Sequence, residues 1–125
     1  ESNKVIFTGK LTDLDLVKEF HNASCLVCPS IFEPWGLVIN EALSSGLPVI
    51  ASKQVGACYD LIEGKDTGFI VESDAQIGLK MSQIFYDSKL LEKYSSNAMF
   101  LMKDYWNYSL YLDSLKSVTN TLDNK

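Results

Sequence analysis

The chain has 125 residues, of which 46% are hydrophobic and 22% are charged, and its formal net charge at pH 7 is −5. A single domain of this length buries about two thirds of its unfolded surface, and the negative charge argues against nucleic acid as a partner. No stretch approaches the ~20 apolar residues of a membrane span and no signal-peptide pattern opens the chain, which together predict a cytoplasmic protein.

The first predicted elements are a strand at Val5–Thr8 and a helix that begins after Thr12. Gly9 ends the strand at an edge of the sheet where ligands can bind. Thr12 fits an N-cap, and Asp15, three residues later, completes a pair resembling a capping box. His21 is the only histidine; it lies near the carboxyl end of the helix, where a cation is favourable, and no cysteine or serine around it gives the context of a catalytic triad. The predicted buried face of the helix is apolar: Leu14, Val17 and Phe20, with Leu16 as a further candidate.

The centre of the chain predicts a strand, a loop, a helix, a turn and a second strand. Ser24–Cys28 is a short apolar run of the kind found in strands buried on both faces. Glu33–Gly36 is then a turn, and helical spacing of apolar residues follows from Gly36, with Gly46 as the carboxyl-terminal cap. Leu47–Ala51 is the next strand. A connection of this type between neighbouring strands implies a parallel sheet.

The three cysteines give no disulfide framework, since their number is odd. Cys25 and Cys28 imitate a C-x-x-C motif, but residues three apart in a strand point to opposite faces and cannot share a metal ion. We therefore expect buried free thiols at these two positions and at Cys58, and no metal site.

Two glutamates flank the start of the central helix and indicate an anion site. Glu33 follows a strand at its carboxyl end, where open α/β sheets place their ligands. Glu41 lies about one and a half turns into the helix. Between them the amides of Gly36 to Val38 open the helix, and their N–H groups and the helix dipole suit a phosphate. Taken alone, two such acids are more commonly a dipole-favouring carboxylate and a solvated one.

The sequence around these acids resembles the donor-binding half of retaining GT-B glycosyltransferases of the family 4 type. The shared pattern is P-S-x-x-E-P-x-G-L-x-x-x-E-A-x-x-x-G-x-P-V, and the resemblance runs from about Val5 to Val71. It implies that Glu33 contacts hydroxyls of the donor sugar, that Glu41 holds the ribose, and that the amides between them face the diphosphate. Glu33 is the implied catalytic residue. The implied donor-binding residues are Gly9, Glu33, Pro34, Trp35, Gly36, Leu37, Val38, Glu41 and Gly56.

The loop after the second strand departs from the family pattern, which has a glycine pair followed by a glutamate. Gly56 keeps the first glycine, Ala57 replaces the second, and Asp60 replaces the glutamate. A Cβ at Ala57 would intrude on a close backbone approach. The change marks either a particular donor sugar or drift.

A strand at the end of the segment Leu61–Val71 and a helical tail complete the prediction. Asp74 is expected to cap a helix that runs to about Tyr86, and two further helices are expected at Leu90–Lys103 and Leu110–Leu122. Trp106 lies in an aromatic corner before the last helix, where it is interpreted as a core residue rather than a partner for a base. The inward-facing residues predicted for the first two of these helices are apolar or aromatic: Ile77, Met81, Ile84, Phe85, Leu91, Tyr94, Ala98, Leu101 and Met102.

The predicted fold class is α/β. The chain should form one domain over residues 1–125, with a partial doubly wound parallel sheet (Rossmann-like, as in the carboxyl-terminal domain of GT-B enzymes) of about four strands and a helical C-terminal tail. In the resembled family, earlier βα units carry an arginine and a lysine that grip the diphosphate. These units and an N-terminal acceptor domain are not in this sequence, so we expect the chain to work with a missing N-terminal domain of the same polypeptide and to be inactive alone.

The resemblance implies transfer of a hexosyl unit, with retention, from a nucleotide-diphosphate sugar to a polysaccharide, lipopolysaccharide or lipid-linked acceptor. The sugar nucleotide is a substrate, and no cofactor, metal ion or nucleic acid is implied. A sugar-nucleotide epimerase of GT-B fold would share the phosphate-binding helix but not the spacing of the glutamates, and a non-enzymatic nucleotide-binding module stays open as well. The expected location is the cytoplasm, either free or at the inner face of the membrane through the missing half.

Overall fold

The computed structural model describes residues 5–123, without the side chains of Asp13 and of residues 120–123. Its sheet has three parallel strands in the order β1 (Leu26–Cys28), β2 (Val49–Ser52) and β3 (Gly68–Val71). Between residues 5 and 123 the chain also forms six α-helices, with a π-helical turn at Leu101–Tyr105 between the last two. The helices are α1 (Asp13–Asn22), α2 (Leu37–Ser44), α3 (Ala57–Leu61), α4 (Asp74–Tyr86), α5 (Ser88–Phe100) and α6 (Tyr108–Asp123).

The side chains of the strands alternate between two faces of the sheet, and helices cover both. Cys28 of β1 belongs to a cluster that contains Leu43 of α2 and residues of α3. Ile50 of β2 lies on the opposite face with Ile84 of α4, and Cys25 packs against that second cluster. This confirms the predicted α/β class. It also separates Cys25 from Cys28 across the sheet, as the period of two along a strand requires.

Helix α2 is flanked by two glycines in the left-handed region, and Gly46 follows its carboxyl end as the sequence predicts. Gly36 has a φ of 94° and Gly46 a φ of 73°. Gly46 N–H donates to Leu43 O at 3.0 Å, and Leu47 N–H donates to Ala42 O at 2.9 Å, which is the Schellman arrangement. Because Leu43 is fully buried, the helix is anchored by burial of this face, worth about 1.5–3 kcal/mol for one such side chain.

The predicted strand at Val5–Thr8 is wrong. Residues 5–9 have no regular secondary structure, and Val5, Ile6 and Phe7 are 73%, 78% and 94% exposed. A strand forms only where a neighbour supplies partners for its backbone groups, and within residues 5–123 neither β1 nor β3 pairs with this segment. Over residues 5–123 the sheet therefore has three strands instead of the predicted four.

Helix α1 contacts the core with a narrower face than its sequence predicts. Phe20 is buried and Leu16 packs against the core, whereas Leu14 and Val17 are 76% and 43% exposed. Residues four apart share one helix face, so a single row suffices for this contact. Thr12 is the N-cap residue as predicted, but its hydroxyl donates to the Asp15 carboxylate at 2.9 Å instead of accepting from a helix amide.

The helical tail follows the prediction with changes at its junctions. The predicted helix over Leu90–Lys103 is divided into α5 and the π-helical turn. On α4, Ile84 is buried as predicted, but Met81 and Phe85 are 46% and 74% exposed. Helix α6 begins two residues earlier than predicted, because the Asn107 side chain accepts from Leu110 N–H at 3.1 Å and so caps the helix start.

None of the helices formed by residues 5–123 combines the length and the apolarity needed to cross a membrane.

Candidate functional site

The loops that follow β1 and β2 are joined through their backbones. Gly56 N–H donates to Glu33 O at 2.9 Å, and Ala57 N–H donates to Trp35 O at 2.9 Å. Glu33 and Val55 also form a parallel bridge outside the named strands. The pairing of β1 with β2 therefore continues into the loop Glu33–Gly36, called the 33–36 loop below, and fixes it at the carboxyl end of the sheet.

Gly56 is the residue that makes this approach possible. A Cβ at Gly56 would overlap the Pro34 carbonyl oxygen and would lie 2.9 Å from the Pro34 carbonyl carbon and 3.4 Å from Trp35 Cα. These are backbone atoms that cannot rotate away, so the glycine is explained by space alone, since its φ of −57° is open to any residue. At the next position the Ala57 side chain is buried in the core cluster, which accommodates the methyl group there.

The amino terminus of α2 lies directly after the 33–36 loop. Gly36 is its N-cap residue, and among the described residues no side chain makes a capping hydrogen bond at this end of the helix. Ile39 N–H donates to Gly36 O at 2.9 Å. The amides of Leu37 and Val38 lie in the first turn, where a helix supplies no acceptor of its own, so this end can accept an anion.

The two predicted glutamates lie on either side of this helix start. Glu33 is half-buried, and its Oε1 accepts from the backbone N–H of Trp35 at 3.3 Å, which turns the carboxylate toward its own loop. Glu41 is exposed on α2, one turn after Leu37, which is 71% exposed. Because residues four apart share a helix face, Glu41 lies on the same solvent-facing side of α2 as Leu37. This side begins at the free amides of the helix amino terminus.

The structure brings most of the predicted site residues together, with one exception. Gly9 lies in the exposed segment before α1 and has a φ of 66°, and apart from its chain neighbours no atom of the described residues would lie within 4 Å of a Cβ there. The remaining predicted residues belong to the 33–36 loop, to the first two turns of α2, or to the loop bonded to them: Glu33, Pro34, Trp35, Gly36, Leu37, Val38, Glu41 and Gly56.

Trp106 is a residue of this region that the sequence did not indicate. It is 40% exposed instead of belonging to the core, and its ring stacks on Trp35 with centroids 5.6 Å apart and planes inclined by 15°. The Trp35 indole N–H donates to Asn40 Oδ1 at 2.8 Å. No spacing or motif links Trp106 to the 33–36 loop, so only the tertiary structure could find this contact.

Two side-chain hydrogen bonds join the segments after β1 and β2 to the end of β2. Ser52 Oγ donates to the Ser30 carbonyl oxygen, and Cys58 Sγ donates to Ser52 O at 3.4 Å. Burial, with a smaller contribution from Cys28, raises the pKa of Cys58 to about 11, so this thiol is protonated at neutral pH and is a poor nucleophile. Among the side chains that the structure describes, no group of three or more His, Cys, Asp or Glu could hold a metal ion.

Comparison with known proteins gives a family match over most of the chain. The sequence pattern of the family described as "Glycosyl transferases group 1" matches residues 1–99. A sucrose synthase from Melioribacter roseus is 30% identical over 127 residues, which cover 93% of this chain and 16% of that protein. The sulfoquinovosyl transferase SQD2 of Arabidopsis thaliana is 44% identical over 69 residues, covering 52% of this chain and 13% of that protein.

A solved structure agrees with these relatives. The sucrose-phosphate synthase of Thermosynechococcus elongatus superposes with a TM-score of 0.79 at 26% sequence identity, covering 95% of this chain and 30% of that protein. The chain thus spans less than a third of the length of each of these three proteins.

Proposed function

Because the chain belongs to the group 1 family of glycosyl transferases, we propose that it forms the donor-binding half of an enzyme that transfers a hexosyl unit from a nucleotide-diphosphate sugar. The observation that carries the proposal is the uncapped start of α2 at the left-handed Gly36, with Glu33 before it and Glu41 after it. This arrangement offers an anion site with a hydrogen-bond acceptor on either side.

In the proposed complex the diphosphate lies at the amide end of α2. The N–H groups of Leu37 and Val38 donate to phosphate oxygens, and the partial positive charge of the helix terminus favours the anion. A Cβ at Gly36 would lie 3.0 Å from Val55 Cγ1 and 3.2 Å from Glu33 Cγ, so the glycine lets the backbone turn left-handed into the helix against these side chains and so sets the direction of the amides.

The two glutamates divide the rest of the donor between them. Glu41, on the exposed face of α2 beyond the amides, accepts hydrogen bonds from the ribose hydroxyls. Glu33, on the opposite side of the helix start, accepts hydrogen bonds from hydroxyls of the donor sugar. A carboxylate suits both positions, because hydrogen bonds to a charged acceptor are about twice as strong as neutral ones.

The proposed chemistry is electrostatic. As the bond between the sugar and the diphosphate breaks, negative charge develops on the leaving diphosphate, and preorganised N–H donors stabilise it in the transition state. We propose that no metal ion or cofactor takes part, and that Glu33 acts on the sugar as positive charge develops there. Transfer with retention, of the family 4 type, is part of the same proposal.

The acceptor is proposed to be bound by residues outside this chain, in an N-terminal domain of the same polypeptide. The proposed acceptors are a polysaccharide, a lipopolysaccharide or a lipid-linked glycan. The matched part is at most 30% of the length of each of the three relatives, which supports the proposal that the acceptor is bound by another part of such a polypeptide.

A panel of nucleoside diphosphate sugars tests the proposal on the full-length gene product. Uridine, guanosine and adenosine diphosphate sugars are added in turn, and the thermal unfolding midpoint is measured. A ligand at a hundred times its Kd stabilises the folded state by about 2.7 kcal/mol, which raises the midpoint by several degrees. We expect such a rise with one base, and the absence of a rise with every member at millimolar concentration would contradict a donor site.

The sugar nucleotide that binds then separates a transferase from other sugar-nucleotide proteins. Incubation with a mixture of candidate acceptors should release the nucleoside diphosphate and lengthen one acceptor. Conversion to another sugar nucleotide without an acceptor would instead indicate an epimerase, and binding without any turnover would indicate a binding module.

A further inference from the structure

Trp106 contacts the 33–36 loop from the carboxyl-terminal part of the chain. Its ring stacks nearly parallel on the ring of Trp35, with centroids 5.6 Å apart. Stacked aromatic pairs stabilise the folded state by more than the burial of their apolar area, so this contact contributes to the stability of the region. It joins the end of the π-helical turn to the proposed donor site.

The segment that carries Trp106 holds it in a defined place. Trp106 N–H donates to Leu101 O at 2.9 Å and closes the π-helical turn. The Asn107 side chain donates to Lys103 O at 2.7 Å and accepts from Leu110 N–H at 3.1 Å. π-Helical turns are rare and often occur at functional sites. Trp106 is therefore fixed between a turn that packs on the core through Leu101 and the capped start of α6.

Trp35 passes this contact on to the rest of the site. Its backbone N–H donates to the Glu33 carboxylate at 3.3 Å, and its carbonyl accepts from Ala57 N–H at 2.9 Å. Its indole N–H donates to Asn40 on α2 at 2.8 Å. A displacement of Trp35 would therefore move the Glu33 carboxylate and loosen the bonds to the loop after β2.

The stack is the contact that keeps the Trp106 ring on the loop. Trp106 is 40% exposed, and it borders a cavity of about 480 Å³ that Lys65, Asn97 and Tyr105 also line. Since the ring has open space beside it, core packing does not force it against Trp35.

We propose that Trp106 is a positioning residue of the 33–36 loop. By stacking on Trp35 it holds the loop, and with it the Glu33 carboxylate, in the geometry that receives the donor sugar. The part of this inference that concerns the sugar rests on the proposed function, whereas the part that concerns the loop does not. It also follows that the placement of α6, which begins two residues after Trp106, is coupled to the geometry at Glu33.

Amide hydrogen exchange on the full-length gene product, without ligand, tests the effect on the loop. In Trp106→Ala, the amides of Gly56 and Ala57, which bond to the 33–36 loop, should exchange about two- to tenfold faster, the factor expected for loss of one stacked pair. The amide of Val49 donates to Thr67 O, just before β3, and the amide of Lys53 donates to Val71 O in β3. Both should exchange as in the wild type. Trp106→Phe should restore most of the protection, because it keeps a ring for the stack.

Tyr108→Ala is the matched control, since it removes an 86% exposed ring two residues away and should leave the exchange unchanged. Wild-type exchange at Gly56 and Ala57 in Trp106→Ala would overturn the inference, and so would equal acceleration at Val49 and Lys53, which would show a general loss of stability. Should Trp106→Ala fail to fold, Trp106→Leu keeps apolar volume without a ring and is judged by the same comparison.

A kinetic measurement tests the effect on the sugar. Trp106→Ala should lower turnover by about two- to tenfold while the affinity for the free nucleoside diphosphate stays at its wild-type value, because the stack acts on Glu33 through the 33–36 loop, whereas burial of Leu43 holds α2 and with it Glu41. Unchanged turnover despite faster loop exchange would overturn the role in sugar binding. A wild type that binds no sugar nucleotide would instead contradict the proposed function, and the exchange result would still decide whether Trp106 positions the loop.

Discussion

Replacing Glu41 by alanine in the full-length gene product should weaken binding of the nucleoside diphosphate by about ten- to a hundredfold or more. The proposed role of Glu41 is to accept hydrogen bonds from both ribose hydroxyls, and bonds to a charged group are worth about 1.5–3 kcal/mol each. At about 1.4 kcal/mol per decade of affinity, even one such bond accounts for the smaller figure. Calorimetric titration with the nucleoside diphosphate identified by the panel measures the effect.

Glu92→Ala is the control for this variant. Glu92 is also an exposed glutamate on a helix, so the change in helix propensity is the same, and its affinity for the nucleotide should match the wild type. Normal binding by Glu41→Ala would contradict the assignment of Glu41 to the ribose.

Glu33→Gln should give the opposite pattern. The substitution keeps the shape of the side chain and removes its charge, so affinity for the free nucleoside diphosphate should barely change while turnover falls by about tenfold or more. A loss in turnover alone is the signature of contacts made in the transition state. Turnover at the wild-type rate would show that the Glu33 carboxylate is not part of the reaction.

Gly56→Ala should have the largest effect on the structure of the site. The added Cβ would overlap the Pro34 carbonyl oxygen, so the two loops must separate and the bonds to Glu33 and Trp35 must lengthen or break. Overpacking costs about 1–3 kcal/mol and each of the two lost hydrogen bonds about 1 kcal/mol, which together predict a loss of about 3–5 kcal/mol in the free energy of unfolding. Denaturant unfolding measures this loss, and affinity for the sugar nucleotide should fall with it.

Gly78→Ala is the matched glycine substitution. Gly78 lies in α4, and beyond the backbone of its own helix no atom of the described residues would lie within 4 Å of a Cβ there. Alanine in a helix interior is better than glycine by about 0.5–1 kcal/mol, so this variant should be slightly more stable than the wild type and should bind normally. Equal stability of the two alanine variants would show that the loops do not approach as closely as described.

The parts of the fold that depend on local signals could be predicted from the sequence. The boundaries of helix α2 are indicated by Gly36 and Gly46, which adopt left-handed conformations that few other residues adopt. The strands β1 and β2 follow from short apolar runs around that helix. The placement of Glu33 and Glu41 on either side of the helix start needed only the helical period and the position of the glycine.

The features that depend on a distant partner could not be predicted in the same way. The run Val5–Thr8 has a strand-like composition, but a strand also needs a neighbour, and none pairs with it within residues 5–123. The exposure of Leu14 on α1 depends on which element covers that face of the helix, and the helical spacing of apolar residues does not predict this. The stack of Trp106 on Trp35 joins two residues that are far apart in the sequence. They are brought together only because the carboxyl-terminal helices pack on α2.

An experimental structure of the full-length gene product with its nucleoside diphosphate tests the central proposal most directly. The account predicts phosphate oxygens within hydrogen-bond distance of the N–H groups of Leu37 and Val38, and ribose hydroxyls on the Glu41 carboxylate. A nucleotide bound elsewhere, with the amino terminus of α2 in contact with solvent alone, would contradict it.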